Sequence, residues 1–216
     1  MSKKYEIFLF DLDGTITDSA LGITNSVMYA LKKFGIEETD RTKLYKFIGP
    51  PLTESFEKFY GFTKEQSLDG VKYYREYYHD KGIYENRVYD GLEEVLKKIN
   101  EVGKQAIVAT SKPEKYAKII IDHFHLTKYF ACVAGMEMGG GRGTKAQVIT
   151  YALEKNDITD KSKVLMIGDR EHDVIGAHEN GLDCLGILYG FGSRKEFEEA
   201  GADYIRENVE DILQFV

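Results

Sequence analysis

Cysteine is scarce in this chain. The two that it has, Cys132 and Cys184, lie far apart, each among apolar residues. Isolated cysteines lack the close spacing of a structural zinc site and the density of a disulfide-linked secreted protein. We therefore expect both to be reduced residues of a protein core. The chain also starts with a few polar residues that lead directly into an apolar strand, without a signal-peptide pattern, which predicts a cytoplasmic protein.

Long apolar segments and clusters of basic residues are absent as well. No apolar run approaches the roughly 18 residues that a membrane-spanning helix needs, so no membrane span is predicted. The 216 residues include 29 Lys and Arg against 36 Asp and Glu, a formal net charge of −7. This balance disfavours binding to a nucleic-acid backbone. With 43% hydrophobic residues, the chain can form one domain or a domain with an insertion.

What the chain does have is a short apolar strand that ends in two acids. Residues 5–10 are predicted to form a buried strand, followed at once by Asp11, Leu12, Asp13 and Gly14. Alternate side chains of an extended segment point the same way, so the two acids are predicted to lie side by side. Neighbouring carboxylates raise each other's pKa unless a cation lies between them. A plain strand-end turn, in which Asp accepts hydrogen bonds from backbone amides, is the alternative interpretation.

Two regions of the chain differ in the periodicity of their apolar residues. Residues 16–87 have helical spacing without a strand pattern, which predicts a compact all-helical insertion. From Asp90 onward, strands alternate with helices, a pattern typical of a parallel sheet with crossover helices. Because the first strand completes this sheet, we predict an α/β fold in which residues 1–15 and 88–216 form one domain and residues 16–87 form another.

Two later strands also end in polar residues. The predicted strand at residues 105–109 runs into Thr110 and Ser111, and the one at residues 164–167 is followed closely by Asp169. In a doubly wound sheet these ends meet the end of the first strand in one crevice. Thr110 and Ser111, at a predicted strand-to-helix junction, would offer a hydroxyl and backbone N–H groups to an anion.

The acids at these strand ends predict a metal site. Asp11, Asp13 and Asp169 would supply only oxygen ligands, which suits Mg²⁺ better than zinc. Asp173 lies four residues further on. A bound anion also needs a positive charge, and Lys145, which opens a predicted helix after a glycine-rich segment, is the best placed. Each residue alone has a structural explanation, but their order at successive strand ends indicates one site.

Two glycine-rich segments resemble nucleotide-binding loops but lack required residues. Residues 140–146 would match a phosphate-binding loop only with glycine at position 144 and Ser or Thr at position 146, where the chain has Thr144 and Ala146. Residues 189–192 lack the third glycine of a dinucleotide-binding fingerprint. Neither segment predicts nucleoside-triphosphate or NAD binding. His172, inside the segment 169–173, could reach a substrate, but we expect it instead in an exposed loop or behind the site.

Together the motifs resemble those of the haloacid dehalogenase-like hydrolase superfamily, over essentially the whole chain. Residues 11–15 are similar to its first motif, Thr110 to its second, Lys145 to its third and residues 168–173 to its fourth. The resemblance implies a Rossmann-like doubly wound core with a helical cap inserted after the first motif. It also implies a phosphatase of small phosphomonoesters, because the dehalogenase branch lacks the second acid of the first motif.

The resemblance implies a role for each motif residue. Asp11 would be the nucleophile that forms an aspartyl-phosphate, and Asp13 the general acid and base. Thr110 and Lys145 would hold the phosphoryl group, and Lys145 would also orient Asp11. The implied Mg²⁺ ligands are the Asp11 carboxylate, the Asp13 backbone carbonyl and Asp169, with Asp173 in support.

Two branches of the superfamily share finer features with this chain. The cap position and residues 110–113 resemble the phosphoglycolate phosphatase-like group. The chain more closely resembles bacterial members classed as 5′-nucleotidases at residues 47–52, 84–88, 168–170 and 189–193. We therefore expect nucleoside 5′-monophosphates as substrates, with phosphoglycolate as the alternative.

Within the predicted cap, the turn at Gly49 and Pro50 is expected to be the substrate loop. A sugar-phosphate mutase, which shares the core and the cap type, is a second alternative; it would return the phosphoryl group to a bound sugar bisphosphate instead of to water. A non-catalytic sensor or partner-binding module is a third. No nucleic-acid polymer and no membrane is predicted as a partner.

Overall fold

The computed structural model describes residues 5–138 and 141–216. The first four residues and positions 139 and 140 of the glycine-rich segment lie outside the described residues. The chain divides into two compact units, Met1–Thr17 with Val88–Val216 and, separately, Asp18–Arg87. The two-residue strands Thr17–Asp18 and Arg87–Val88 lie where the chain passes from one unit to the other.

The unit Asp18–Arg87 is built of helices. They are α1 (Ala20–Lys33), a 3₁₀ helix (Arg41–Phe47), α2 (Leu52–Tyr60), α3 (Lys64–Tyr77) and a π-helical turn (Tyr78–Gly82). Sequence signals explain their ends. Thr63 and Gln66 form a capping box at the start of α3, and Gly61 ends α2 in the left-handed conformation at φ +65°.

Aromatic rings fill the interior of this helical unit. Phe56 on α2 is fully buried, and its ring centroid lies 5.2 Å from that of Phe47 and 5.6 Å from that of Phe62. Gly70 lets α3 approach Phe56, since a Cβ there would lie 3.1 Å from the ring. These aromatic residues therefore pack against one another, which is their commoner use in a small helical bundle.

Replacing Phe56 with alanine is expected to destabilise the protein by about 3–5 kcal/mol, because the change removes a fully buried ring and leaves a cavity. Urea unfolding followed by circular dichroism measures the loss. Leu68→Ala in the same unit is the control, since Leu68 is 57% exposed and its truncation should change the free energy of unfolding by less than about 0.5 kcal/mol. Equal effects of the two changes would contradict the assignment of Phe56 to the core.

The other unit is an α/β domain. Among the described residues, six parallel strands form its sheet in the order β3-β2-β1-β4-β5-β6, flanked by helices. The strands are β1 (Ile7–Phe10), β2 (Gln105–Pro113), β3 (Phe130–Met136), β4 (Val164–Gly168), β5 (Asp183–Ile187) and β6 (Tyr204–Arg206). The helices are α4 (Leu92–Glu101), α5 (Glu114–His123), α6 (Lys145–Lys155), α7 (Glu171–Glu179) and α8 (Arg194–Ala200). This strand order is that of a doubly wound fold, so the predicted fold class is confirmed.

The central position of β1 follows from its sequence. Parallel strands that are covered on both faces have nearly continuous apolar sequences, and the last three residues of β1 are fully buried. Phe10, at its end, pairs with Val108 of β2 on one side and with Ile167 of β4 on the other. The strand order reverses at β1, and ligands of doubly wound sheets bind beside the carboxyl ends of the strands at this point.

One element differs from the prediction. β2 does not end at residue 109 but continues to Pro113, so Thr110 and Ser111 lie within the strand and the predicted strand-to-helix junction there is wrong. The reason is pairing with β3, which reaches Met136 opposite Pro113 after a shift in register. Local sequence does not show this pairing, because it depends on the neighbouring strand.

Both cysteines are free and buried in the α/β unit, as expected of core residues. Within residues 5–138 and 141–216, none of the helices has the length and apolar character of a membrane span.

Candidate active site

Asp11 is the first residue after β1 and lies at the reversal point of the sheet. Its backbone N–H donates to the carbonyl of Ile167 at 2.9 Å, so the pairing of β1 with β4 also fixes the position of Asp11. The side chain is buried, and its Oδ1 accepts a hydrogen bond from the Leu12 N–H at 2.7 Å. The sheet thus holds this carboxylate in a defined place and orientation.

Lys145 begins α6, and its ammonium lies between two acids. A capping box at Thr144 fixes the start of the helix. The Nζ of Lys145 lies 2.9 Å from Asp11 Oδ1 and 2.7 Å from Asp173 Oδ1, and it donates to the Ala109 carbonyl at 3.1 Å. Only 6% of Lys145 is exposed, so its charge is neutralised by the protein rather than by water.

Asp169 and Asp173 form a buried group of acids with Asp11. One carboxylate oxygen of each lies within 4.8 Å of the others. Asp169 follows β4, and Asp173 lies in the first turn of α7, where its Oδ2 accepts a hydrogen bond from the Arg170 N–H at 3.1 Å. Such a set of oxygen atoms is the kind that Mg²⁺ prefers.

The Asp169 carboxylate supports a metal site independently. Its Oδ2 accepts a hydrogen bond from the Phe191 N–H at 2.9 Å, whereas the buried Oδ1 has no hydrogen-bond partner in the described part of the chain. Buried polar atoms are normally paired, since an unpaired one costs free energy. A divalent cation among the three carboxylates would pair this oxygen, so the residues present fit such an ion.

Burial and mutual repulsion set the pKa values of this group. Burial raises the pKa of Asp11 to about 6, although the Lys145 ammonium opposes the shift. Burial and the neighbouring carboxylates of Asp173 and Asp11 raise the pKa of Asp169 well above its usual value. Burial alone would lower the pKa of Lys145, but the carboxylates of Asp11 and Asp173 outweigh it and raise that pKa. The group therefore favours a bound cation.

Asp13 points to a different lysine. The Nζ of Lys112 lies 2.7 Å from Oδ2 and 3.0 Å from Oδ1 of Asp13, and the two side chains are 6% and 13% exposed. The sequence predicted that Asp11 and Asp13 lie side by side but assigned Lys112 no role. The available signal was its spacing of two from Thr110, since alternate residues of a strand face the same side.

Thr110 and Ser111 lie in the part of β2 that extends past its predicted end. Thr110 is buried, and its Oγ1 accepts a hydrogen bond from the Lys112 N–H at 3.1 Å. A side-chain hydrogen bond from Thr110 lowers the pKa of Asp11 and so opposes the effect of burial. The Thr110 hydroxyl therefore lies at the site. Ser111 is the half-buried residue between Thr110 and Lys112.

The chain matches known proteins over most of its length. The family model described as haloacid dehalogenase-like hydrolase matches residues 8–187, a range that contains all the acids and lysines of the site. The chain belongs to the haloacid dehalogenase-like hydrolase family.

Three individual proteins are also similar to this chain in sequence. A 5′-nucleotidase of Pseudomonas aeruginosa is 44% identical over 89% of this chain and 87% of the relative. Tyrosine-protein kinase PtkA of Mycobacterium tuberculosis is 34% identical over 87% of this chain and 63% of the kinase. A phosphoglycolate phosphatase of Vibrio parahaemolyticus is 22% identical over 98% of this chain and 96% of the relative.

A solved structure is also similar. The crystal structure of a "predicted phosphatase" from Clostridium acetobutylicum has a TM-score of 0.93 and 47% sequence identity, over 98% of this chain and 97% of that one. The chain is thus a phosphatase of the haloacid dehalogenase-like family, a phosphoric monoester hydrolase.

In the helical unit of this phosphatase, Gly49 and Pro50 form the turn between the 3₁₀ helix and α2. Gly49 is exposed and has φ +103°, a region that favours glycine. The same unit has a cavity of about 420 Å³ to which these two residues do not contribute. Its lining is formed by two arginines, two tyrosines, two acids and three further residues: Asp18, Ala20, Leu21, Arg41, Tyr45, Tyr84, Glu85, Asn86 and Arg87.

Arg142 anchors the segment before Lys145. Its Nη2 lies 3.2 Å from the Glu114 carboxylate, and its guanidinium lies 3.8 Å from the centroid of the Tyr151 ring. His172 is half-buried in the first turn of α7, so the expectation that it lies in an exposed loop is wrong. The sequence assigned no catalytic role to either residue.

Two glycines that the sequence did not assign to the site pack closely against Asp169. A Cβ on Gly14, which has φ +84°, would lie 2.1 Å from Asp169 Oδ2. A Cβ on Gly190 would lie 2.3 Å from the Asp169 Cβ and 2.4 Å from the Gly14 carbonyl oxygen. Residues 189–192, which do not form a dinucleotide-binding loop, therefore make a wall that holds the Asp169 carboxylate.

Gly190→Ala is expected to lower phosphatase activity by about 100-fold, because the added methyl group displaces Asp169 from the site. Hydrolysis of 4-nitrophenyl phosphate measures the loss, with a thermal melt to check folding. Gly143→Ala is the matched control, since its nearest neighbour would be Gln147 Oε1 at 3.9 Å. Similar activity of the two variants would show that the Gly190 wall does not hold Asp169.

Proposed function

We propose that this phosphatase hydrolyses small phosphomonoesters in a Mg²⁺-dependent reaction through an aspartyl-phosphate, and that its substrates are nucleoside 5′-monophosphates. The observation that carries the proposal is the Lys145 ammonium, 2.9 Å from Asp11 and 2.7 Å from Asp173, beside the unpaired oxygen of Asp169. A carboxylate can attack a phosphate dianion only where positive charge screens their repulsion.

The reaction divides into two balanced steps. In the first, the Asp11 carboxylate bonds to phosphorus, the bond from phosphorus to the leaving oxygen breaks, and that oxygen takes a proton from Asp13. In the second, Asp13 takes a proton from water, the water oxygen bonds to phosphorus, and the bond to Asp11 breaks. Inorganic phosphate leaves and Asp11 is a carboxylate again. Thr110, Ser111 and Lys145 would hold the phosphoryl oxygens.

Mg²⁺ would be held by the Asp11 and Asp169 carboxylates and by the Asp13 backbone carbonyl. When bound, the ion would screen the charge of the phosphoryl group. Asp173 would support the site rather than the ion, because its Oδ1 forms an ion pair with Lys145 at 2.7 Å and its Oδ2 accepts a hydrogen bond from the Arg170 N–H at 3.1 Å. A cytoplasmic location stays a prediction.

Two observations support nucleotides over phosphoglycolate. The relative named 5′-nucleotidase is 44% identical, against 22% for the one named phosphoglycolate phosphatase. The cavity of the helical unit has exposed rings at Tyr45 and Tyr84, and its Arg87 pairs with Asp18 at 3.0 Å. Flat apolar rings and paired charges suit an uncharged heterocycle better than the carboxylate of glycolate. We propose that residues 16–87 act as the cap, with Gly49 and Pro50 in its substrate loop.

A panel of substrates tests the proposal. Wild-type protein with Mg²⁺ is expected to release phosphate from nucleoside 5′-monophosphates with a kcat/KM at least about tenfold above that for phosphoglycolate or sugar phosphates. Asp11→Asn should remove hydrolysis of every substrate, including 4-nitrophenyl phosphate, because no carboxylate remains to attack phosphorus.

The outcomes of this panel are distinct. A preference for phosphoglycolate would contradict the proposed nucleotide substrates but would not affect the proposed mechanism. Undiminished turnover by Asp11→Asn would overturn the aspartyl-phosphate route. Phosphate release that requires an added sugar bisphosphate would indicate a mutase instead of a hydrolase.

Mg²⁺ binding is expected to weaken as the pH falls through about 6, because the ion requires ionised carboxylates and burial raises the pKa of Asp11 to about 6. The proton and the ion compete, so affinity should fall about tenfold per pH unit for each displaced proton. The shift in melting temperature on adding Mg²⁺ measures this, and NaCl at matched ionic strength is the control. A shift that is equal at pH 5 and pH 8 would contradict the assignment of the ion to these acids.

A further inference from the structure

Lys112 is a buried lysine beside the second acid of the first motif. Its Nζ contacts both oxygens of the Asp13 carboxylate, at 2.7 and 3.0 Å, and its side chain is 6% exposed. Lysine is rarely buried unless its charge is compensated. The contact with both oxygens defines the plane of the Asp13 carboxylate as well as its position.

The fold sets the position of Lys112. β2 pairs directly with β1, with Phe10 opposite Val108, so the residues after Phe10 and after Val108 lie over the same end of the sheet. The backbone N–H of Lys112 donates to Thr110 Oγ1 at 3.1 Å, which holds the extended part of β2 in place. Lys112 therefore reaches Asp13 from a rigid element rather than from a loop.

The basic groups around the site have separate partners. Lys145 lies between Asp11 and Asp173, at 2.9 and 2.7 Å, and the Arg170 Nε contacts Glu196 at 2.8 Å. Each acid of the first motif thus has its own lysine. In the proposed reaction these acids have different duties, since Asp11 attacks phosphorus and Asp13 moves protons.

We propose that Lys112 is a positioning residue that holds the Asp13 side chain where it can give its proton to the leaving oxygen. This inference rests on the proposed function. An aspartate side chain has several staggered conformations, and proton transfer needs one that brings it within hydrogen-bond reach of the receiving atom. A lysine ammonium can donate to either oxygen of the carboxyl group, so the contact persists when the other oxygen carries the proton.

Without Lys112, the first step has to expel a leaving group that has not received a proton. Phosphorus still bonds to Asp11 and the bond to the leaving oxygen still breaks, but the electron pair stays on that oxygen as an anion. The loss of rate therefore depends on how well the leaving group bears a negative charge. A purely structural lysine, or one that binds the phosphoryl group, would affect all leaving groups alike.

A series of aryl phosphates tests the inference independently of the natural substrate. For Lys112→Met, kcat/KM is expected to fall about 30-fold for phenyl phosphate and less than about threefold for 2,4-dinitrophenyl phosphate, whose leaving group needs no proton. The parameter kcat/KM is chosen because it reports the steps up to departure of the leaving group. Lys112→Arg, which keeps the cation, is expected to recover much of the loss.

A double-mutant cycle shows whether Lys112 acts through Asp13. In an Asp13→Asn background, Lys112→Met should lower kcat/KM for phenyl phosphate by less than about a further twofold. The double variant also removes both charges of the pair, so it keeps no buried unpaired charge and is expected to fold even if Lys112→Met alone does not. Lys118→Met, which removes a lysine whose side chain is 55% exposed, is the control. It should leave kcat/KM unchanged for every aryl phosphate.

Each outcome decides a separate point. An equal loss for all leaving groups, or a full loss that persists in the Asp13→Asn background, would overturn the role of Lys112 and leave the proposed function intact. Hydrolysis that survives Asp11→Asn would overturn the proposed function, and absence of hydrolysis by the wild-type protein would overturn both.

Discussion

Four acids and two buried lysines at one end of a parallel sheet form the arrangement on which the site depends. Asp11, Asp169 and Asp173 repel one another, and burial adds to the cost of their charges. The Lys145 ammonium, within 2.9 Å of two of them, offsets part of this cost. The remaining negative charge and the unpaired Asp169 oxygen make the group suited to a cation and to a phosphoryl group.

The topology of the sheet explains why these charges can be held so close. Strand order reverses at β1, so the ends of β1, β2 and β4 are neighbours in the sheet there. Pairing of Phe10 with Val108 and Ile167 fixes the three strand ends relative to one another. The acids and lysines are therefore held by the hydrogen bonds of the sheet and by helix starts, which lets like charges remain near each other without separating.

Much of this site could be predicted from the sequence. Asp11 and Asp169 each follow an apolar strand, and Lys145 begins a helix with a capping signal, so local patterns identify them. Lys112 could not be assigned in this way, because its role depends on the extension of β2 along β3. The contact of Gly190 with Asp169 joins residues 21 positions apart through the pairing of β4 with β5, which local sequence does not encode.

The sequence by itself determined the α/β class, and it predicted the helical insertion, the acids and Lys145, because apolar periodicity and strand ends are local properties of the chain. Only the tertiary structure decided that Lys112 contacts Asp13, which lies 99 positions away in the chain, and that Lys145 contacts Asp173 as well as Asp11. Distances between charges are set by strand register and helix placement, and these follow from the packing of the whole α/β unit. The two carboxylates of the first motif are therefore alike in sequence but differ in their partners.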